Sequence, residues 1–536
     1  MHRNLRLATL VVVLLIGLAP RLWVIANGPE TIVQFVPDDA FYYFQIARNI
    51  VAGNGSTLDG VYATNGYHPL WMGLLLPFAA SSGSVAFLKA GLAIAVMFNS
   101  ICTFLLYRLV YRTTGIGWLA VLGSAAYFLN QQAIFSSLDG LETSVSSLLF
   151  VILLCLTLTG QMVQSDLVRL ARYGIILGLL FLSRTDNAFY LVAFFLVTFI
   201  QMPQRHWLRR GAVLLGVVAL AVSPWLLWNL FYFGSIVQSS GFAFPYVQHV
   251  AYLNEGHTMW QMWLWSLVYF VAYLFILSHE CLGFPFIIFQ ATITFSLLVI
   301  ARRRNESDPQ TRLAVWAILA LWAAGILLVF VHTFVRWYPR VWYFDQLIAL
   351  SAFTVCLAFT FLDLGLKFAS LVRLIEQRLP DRAAWRIMAG GIVATAGAAS
   401  MAFLVFTLAT QPPYPHQIEM LDAAEWLHEN LGTGESAAAF NAGIMAFFSG
   451  RRVVNLDGVV NNAAYAAILD GNLARMLYDS SARYYLDFDP VMLRMYAPFF
   501  GKMKTRLRMV AIGEIDHPGV NWAGASIWVY RLERLP

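Results

Sequence analysis

Long apolar runs recur from the N-terminus to residue 410, and they limit what this chain can fold into. Roughly 20 apolar residues cross the ~30 Å hydrocarbon core of a bilayer as a helix. Only 12% of the residues are charged, about half the share in ordinary soluble domains. A water-soluble globule of this composition would expose far too much apolar surface, so the class is a polytopic membrane protein. The net charge of +6 lies mostly in short loops between apolar runs rather than in one stripe. That distribution reports topology and argues against a nucleic-acid partner.

The runs predict eleven spans, at 5–26, 85–108, 116–137, 142–162, 171–185, 187–202, 211–232, 281–301, 312–334, 341–366 and 387–410. The first reads as a retained span rather than a cleaved signal, because no small-residue cleavage site follows it. Two further apolar segments, His68–Ala80 and Gln261–Leu277, are expected to lie near the membrane surface. The first is short, and the second is rich in Trp and Tyr, which favour interfaces. With both left out, one alternating topology places Arg3/Arg6, Arg108/Arg112, Arg169/Arg172, Arg205/Arg209/Arg210, Arg302/Arg303/Arg304 and the basic stretch 367–386 in the cytoplasm. The N-terminus is then inside and the C-terminus outside. Cys102, Cys155, Cys281 and Cys356 have no metal-ligand spacing, so neither disulfides nor structural zinc are expected.

Composition changes after residue 410. A proline-rich linker, Gln411-Pro412-Pro413-Tyr414-Pro415, precedes about 120 residues of mixed helix and strand pattern. Gln417–Leu431 has helical spacing, and Ala437–Phe440, Val453–Leu456, Tyr484–Phe488 and Ile527–Leu532 read as short strands. The expected organisation is an all-α polytopic membrane domain over 1–410, with an outer loop at 27–84, and a small soluble α/β domain over 411–536.

Under this topology the polar residues that an apolar bundle does not need fall at one face. PDDAFYYFQIARN (37–49) and TNGYHPLW (64–71) lie in the first outer loop, and SLDGLE (137–142), SRTDN (183–187) and RWYPR (336–340) in outer turns. Ionisable groups at membrane depth are costly, so this gathering marks a candidate site. Asp38 and Asp39 follow Pro37 at a helix start. One aspartate suffices as a cap, whereas adjacent carboxylates raise each other's proton affinity and suit a general base or a metal ligand. Glu142 reads either as a favourable charge at a helix N-terminus or as a site residue. Asp139 beside Gly140 reads as a turn residue. Arg184 and Asp186 either pair with each other or serve a ligand. Arg336 and Arg340 break the positive-inside trend around Trp337-Tyr338-Pro339, which points to an anion site, since guanidinium grips phosphate with paired hydrogen bonds. His68 either caps a surface helix or joins the site.

These segments resemble the GT-C glycosyltransferases. The run PDDAFYYFQIARNIVAGNG followed by TNGYHPLW resembles the family's first outer loop, and SLDGLETSV its second acidic motif. LSRTDNAF is similar to an Arg-Pro-acidic turn, with Thr185 in place of the proline. PWLLWNLFYFGSIVQSS and NAGIMAFFSGRRVVNLDGVVN resemble a bacterial subgroup that includes mycobacterial arabinofuranosyltransferases. The resemblance implies an enzyme of the cell envelope's glycan biosynthesis. It would move a hexosyl or pentosyl group from a polyprenyl-phosphate carrier to a glycan, lipid or protein acceptor outside the cytoplasm. It also implies Asp38 as catalytic base with Asp39 adjoining, and Glu142 at the second acidic position. Arg184, Asp186, His68, Arg336, Arg340 and Tyr42 complete the expected substrate-binding set. Asp38, Asp39 and Glu142 could hold a divalent cation with oxygen ligands, yet some GT-C relatives work without one, so the cofactor stays open. The competing classes are a transporter or flippase of lipid-linked sugars and a non-catalytic assembly subunit. No internal repeat or broken midplane helix supports the transporter.

Overall fold

A computed structural model describes residues 3–80, 83–158, 166–201, 206–280, 309–337, 339–361, a few positions between 399 and 406, and 409–535 except 502–505, 521 and 523. The expected spans 281–301 and 387–410 lie outside, or almost wholly outside, these residues. Among the described residues, five helices are long and apolar enough to cross a membrane: Arg6–Ala26, Ser84–Thr114, Trp207–Phe233, Met259–Ile276 and Leu313–Val335. Thr143–Leu158, Leu167–Ser183, Ala188–Gln201 and Gln346–Phe361 pack among them as shorter apolar helices. The chain is a multi-pass helical membrane protein with a small C-terminal α/β domain.

Three segments refine the sequence reading. The run 116–137 is not one helix. It stops at Phe128, and Asn130 restarts it by accepting hydrogen bonds from the backbone of Gln132 (2.9 Å) and Ala133 (3.2 Å). An Asn side chain competes with the helical ladder in this way, and a hydropathy window does not see it. The segment expected as a helix along the membrane surface is a 22-residue helix, Met259–Glu280, whose core is by length and composition also sufficient to cross a membrane. Its aromatic rings also serve helix packing: Trp263, Phe270 and Tyr273 meet Phe334, Phe330 and Phe344. Finally, Leu313–Val335 ends in a π-helical turn, Val331–Val335, where the Arg336 amide reaches back to the Val331 carbonyl at 3.0 Å.

The C-terminal domain carries a five-stranded sheet in the order β2-β1-β3-β5-β4. β1 (Ser436–Ala439) pairs in parallel with β2 (Arg452–Asn455) and β3 (Tyr484–Asp489). β5 (Ser526–Arg534) lies antiparallel between β3 and β4 (Leu507–Ile515). The sequence reading finds four of the strands and misses β4, a largely exposed edge strand without a strong apolar face.

One helix, Asp38–Val51, joins the two parts. Phe44 packs against Phe87 of the bundle, with centroids 5.1 Å apart, while Phe41 and Phe44 also meet Phe447 of the C-terminal domain at 5.6 and 5.9 Å. Arg48 lies 4.1 Å from the Phe447 ring centre and donates to the Phe447 carbonyl. Two glycines make the contact close. A Cβ on Gly66 would fall 1.9 Å from the Val459 carbonyl oxygen, and one on Gly443 would fall 2.2 Å from the Asp38 carbonyl oxygen. Neither neighbour is a flexible side-chain tip, so the backbones themselves would have to part. Gly66→Ala is therefore expected to destabilise the docked protein by about 3 kcal/mol, the upper range for overpacking. Gly73→Ala, whose Cβ would meet nothing within 4 Å, is the control. Thermal unfolding in detergent checks the pair, and equal midpoints would contradict the close approach.

Candidate active site

A cavity of about 440 Å³ lies between the membrane bundle and the C-terminal domain. Of the residues singled out from sequence, Asp39, Tyr42, His68, Glu142, Arg184, Asp186, Arg336 and Arg340 line it. Asp38 does not. Five separate segments supply these groups, so the fold brings together residues that the sequence scatters over about 300 positions.

Asp38 and Asp39 occupy the first turn of their helix, with Pro37 as its N-cap residue. Their side chains diverge. Asp38 turns to the C-terminal domain and accepts the amides of Gly443 (3.1 Å) and Ile444 (2.6 Å), capping the helix Gly443–Ser449. The sequence reading takes Asp38 as the catalytic base; the geometry gives it a docking contact away from the cavity wall. The cause is the close meeting of two helix N-termini, which no local pattern encodes. Burial pushes the Asp38 carboxyl up to about 7, opposed by those two amides and aided by Asp39. Asp39 points into the cavity, and no described residue gives it a hydrogen bond. Burial raises its proton affinity above the ordinary carboxylate value; Arg340 opposes the rise and Glu142 adds to it.

Glu142, Arg184 and Asp186 form a buried ion chain. Arg184 Nη1 donates to Glu142 Oε1 at 2.7 Å, while its Nε and Nη2 grip the two oxygens of Asp186 at 3.0 and 2.6 Å. The guanidinium also covers the Tyr343 ring at 4.4 Å. Tyr43 donates to Glu142 Oε2 at 2.8 Å, and the backbone amide of His68 donates to the same Tyr43 hydroxyl at 2.9 Å. The His68 ring lies 3.7 Å from Glu142 and meets Gln238 at 3.0 Å. So the two readings of Arg184 and Asp186 merge: they pair with each other and also build the wall. Asp139 keeps its turn role, accepting from the Leu141 amide and the Thr143 hydroxyl.

The chain continues to His332, which the sequence reading missed. Its Nε2 meets Asp186 Oδ2 at 2.9 Å, and its Nδ1 faces Arg336 Nη1 at 3.4 Å. A carboxylate only accepts, so Nε2 carries the proton and Nδ1 accepts from the arginine. The wide π turn aims His332 inward; such turns recur at functional sites. The available signal was a histidine inside an apolar run, four residues before Arg336. Trp337 then takes a positive φ of 54°, a strained conformation for a bulky residue. Its ring is held between His249 and Tyr252, and its indole N–H donates to Ser266 at 2.5 Å. This reversal lets Arg336 and Arg340 line the same cavity. Arg336 makes only long contacts, to His332 and to the Ser240 carbonyl (3.4 Å each), and its Nε meets no acceptor among the described residues.

The donor set does not suit a divalent cation on Asp38, Asp39 and Glu142. Backbone amides occupy Asp38, and Arg184 and Tyr43 occupy Glu142. Among the described residues no three His, Cys, Asp or Glu side chains gather at metal-binding distance. The C-terminal domain adds Asn441, Asp457, Val459, Met492, Met495 and Trp522 to the cavity, none of them anticipated as site residues. An apolar groove of about 500 Å³ adjoins it, lined by Leu70, Leu182, Pro224, Trp225 and Trp228; Tyr67 belongs to both.

Residues 409–522 match a family described as Domain of unknown function (DUF8728). No curated protein sequence matches the chain. Solved structures do. The archaeal oligosaccharyltransferase AglB from Archaeoglobus fulgidus, in complex with an inhibitory peptide and a dolichol-phosphate, is similar with a TM-score of 0.57 and 14% identity, over 92% of this chain and 70% of that one. ArnT from Cupriavidus metallidurans, bound to undecaprenyl phosphate, is similar with a TM-score of 0.53 and 14% identity, over 98% of this chain and 97% of that one. The chain thus shares the fold of GT-C membrane glycosyltransferases, as its sequence motifs led one to expect.

Arg184→Ala leaves Glu142 and Asp186 buried without their counter-ion. Breaking one side of a buried ion pair costs about 3–5 kcal/mol, so the thermal midpoint should fall steeply. Arg340→Ala, at an exposed position, should barely move it. Equal midpoints for the two variants would show that the ion chain does not hold the site together.

Proposed function

We propose that the chain is a membrane glycosyltransferase that moves a sugar from a polyprenyl-phosphate carrier to a hydroxyl of a lipid, glycan or protein acceptor. The observation that carries this reading is the makeup of one cavity. An unengaged carboxylate, Asp39, shares it with the guanidinium groups of Arg336 and Arg340 at the end of a membrane bundle. The similarity to AglB and ArnT, whose structures hold dolichol-phosphate and undecaprenyl phosphate, supports the carrier class.

Asp39 acts as general base. It takes the proton of the acceptor hydroxyl as that oxygen attacks the anomeric carbon. The bond from that carbon to the phosphate oxygen breaks, and the carrier phosphate leaves with its added negative charge facing Arg336 and Arg340. Arg184 is already committed to Glu142 and Asp186, so it shapes the wall rather than meeting the phosphate. The apolar groove beside Tyr67 suits the polyprenyl chain, which reaches the site sideways from the bilayer. The helices that begin at Arg3/Arg6, Arg169/Arg172 and Arg209/Arg210 run away from those basic clusters toward the cavity end. By the positive-inside rule the cavity is then extracytoplasmic.

Purified protein and a panel of radiolabelled polyprenyl-phosphate sugars test the reading. Asp39→Asn should lower transfer by about 10²–10⁴-fold, the usual contribution of a placed base. Asp38→Asn should lose less activity and more stability, since an amide offers one oxygen to two backbone N–H groups. Arg336→Ala should raise the donor KM by about 10–100-fold, as expected for losing a charged hydrogen bond. The base works only when ionised, so activity is present above its pKa and is lost as pH falls through it. The raised proton affinity of Asp39 puts that loss above the ordinary carboxylate range. Full activity in Asp39→Asn, or translocation of the lipid-linked sugar without transfer, would refute the proposal.

A further inference from the structure

Proton transfer and phosphate binding leave part of the cavity unused, and three carbonyl or carboxyl groups that accept hydrogen bonds border that part. Gln238 is 2% exposed; its amide N–H groups go to His68 and Thr185, and its side-chain oxygen has no partner among the described residues. Asp457 is 9% exposed and sits in a tight turn where Gly458 takes a φ of 76°. One of its oxygens accepts the Val459 amide at 2.7 Å, and the side chain lines the cavity. The Ser239 hydroxyl donates to the Val459 carbonyl at 2.9 Å, which sets Gln238 beside the Asp457 turn. Asp39, the proposed base, borders them as a third acceptor.

A ligand in this part of the cavity has to supply several donors. A phosphate or carboxylate brings mainly acceptors and leaves these groups unmet. An ammonium group supplies donors but has no use for apolar surface, and Met492, Met495 and Trp522 offer that surface in the same cavity. A ring with hydroxyls at its rim and C–H groups on its faces uses both.

We propose that Asp457, carried in by the C-terminal domain, joins Asp39 and Gln238 in a subsite for a neutral, hydroxyl-rich sugar ring. This rests on the glycosyltransferase reading and gives the C-terminal domain a direct part in substrate selection. Burial, aided by the nearby Asp39 and Asp38 charges and opposed by the Val459 amide and the Asn455 side chain, holds the Asp457 carboxyl well above the usual carboxylate range, and a sugar hydroxyl, which both donates and accepts, suits it in either protonation state.

The ring belongs either to the donor or to the acceptor, and binding experiments without turnover separate the two. Full-length protein in nanodiscs is titrated in one arm with methyl α-D-mannopyranoside, methyl β-D-glucopyranoside and methyl α-L-arabinofuranoside, with undecaprenyl phosphate saturating. The other arm compares undecaprenyl-phosphate mannose with undecaprenyl phosphate alone. Asp457→Asn keeps an oxygen for the Val459 amide, so the turn survives. It should weaken one arm by about tenfold, the scale of one lost hydrogen bond to a charged group, with undecaprenyl phosphate affinity and thermal midpoint unchanged. Loss in the glycoside arm assigns the acceptor's ring, and loss in the lipid-linked arm the donor's. Gln238→Leu, made on the other side of the domain junction, should weaken the same arm. Unchanged affinity in both arms would overturn the subsite. So would a fall in undecaprenyl phosphate binding together with the thermal midpoint, or wild-type protein that binds ethanolamine and none of the sugars. Sugar binding as described, without transfer from any lipid-linked sugar, would instead sink the glycosyltransferase reading and leave the subsite standing.

Discussion

The carboxylate of Asp38, held by the amides of Gly443 and Ile444, is the contact on which the rest of the site depends. It joins the N-termini of two helices that would otherwise point partial positive charges at each other. The charge sits between them and satisfies two backbone donors at once. With Asp38 so committed, the next residue on the helix is turned by about 100° and projects into the cavity. Division of labour between two adjacent aspartates thus follows from helix geometry. One clasps the domain that roofs the cavity, and the other stays open within it.

The second constraint is electrostatic. A cavity beside a membrane holds Asp39, Asp457, Glu142 and Asp186 together with Arg184, Arg336 and Arg340. Most of that charge is neutralised internally. Arg184 binds two carboxylates, and a neutral His332 passes the chain on to Arg336. Among the described residues, the groups with bonding capacity left over divide by character. Arg336, with its unmet Nε, suits an anion. Asp39, Asp457 and Gln238 suit hydroxyl donors. A phosphate at one end of a ligand and a sugar at the other fit that division.

Much of this was legible in the sequence. The apolar runs fixed the class, and excess polarity in a few turns marked eight of the residues that line the cavity. Four of five strands followed from short, largely apolar runs in the C-terminal domain. What was not legible depended on long-range geometry. Asp38 and Asp39 have the same side chain and nearly the same local context, and only the position of Gly443 distinguishes them. His332 was hidden in an apolar run because a π turn, not a regular helix, aims it. Asp457 drew no reading of its own from the sequence, and it gains meaning only where its turn meets Gly66 and Ser239. The helix break at Asn130 likewise came from a side chain bonding its own backbone, inside a run that hydropathy reads as continuous.

The central claim is that the carrier phosphate and the open carboxylate share this one cavity. An electron cryomicroscopy structure of the full-length protein in nanodiscs with undecaprenyl phosphate tests it most directly. The account requires the phosphate within hydrogen-bond reach of Arg336 or Arg340, the isoprenoid chain in the groove formed by Leu70, Trp225 and Trp228, and Asp39 facing the phosphate across open space. Phosphate density at the basic clusters on the opposite end of the helices, or an Asp39 closed off by the C-terminal domain, would contradict it.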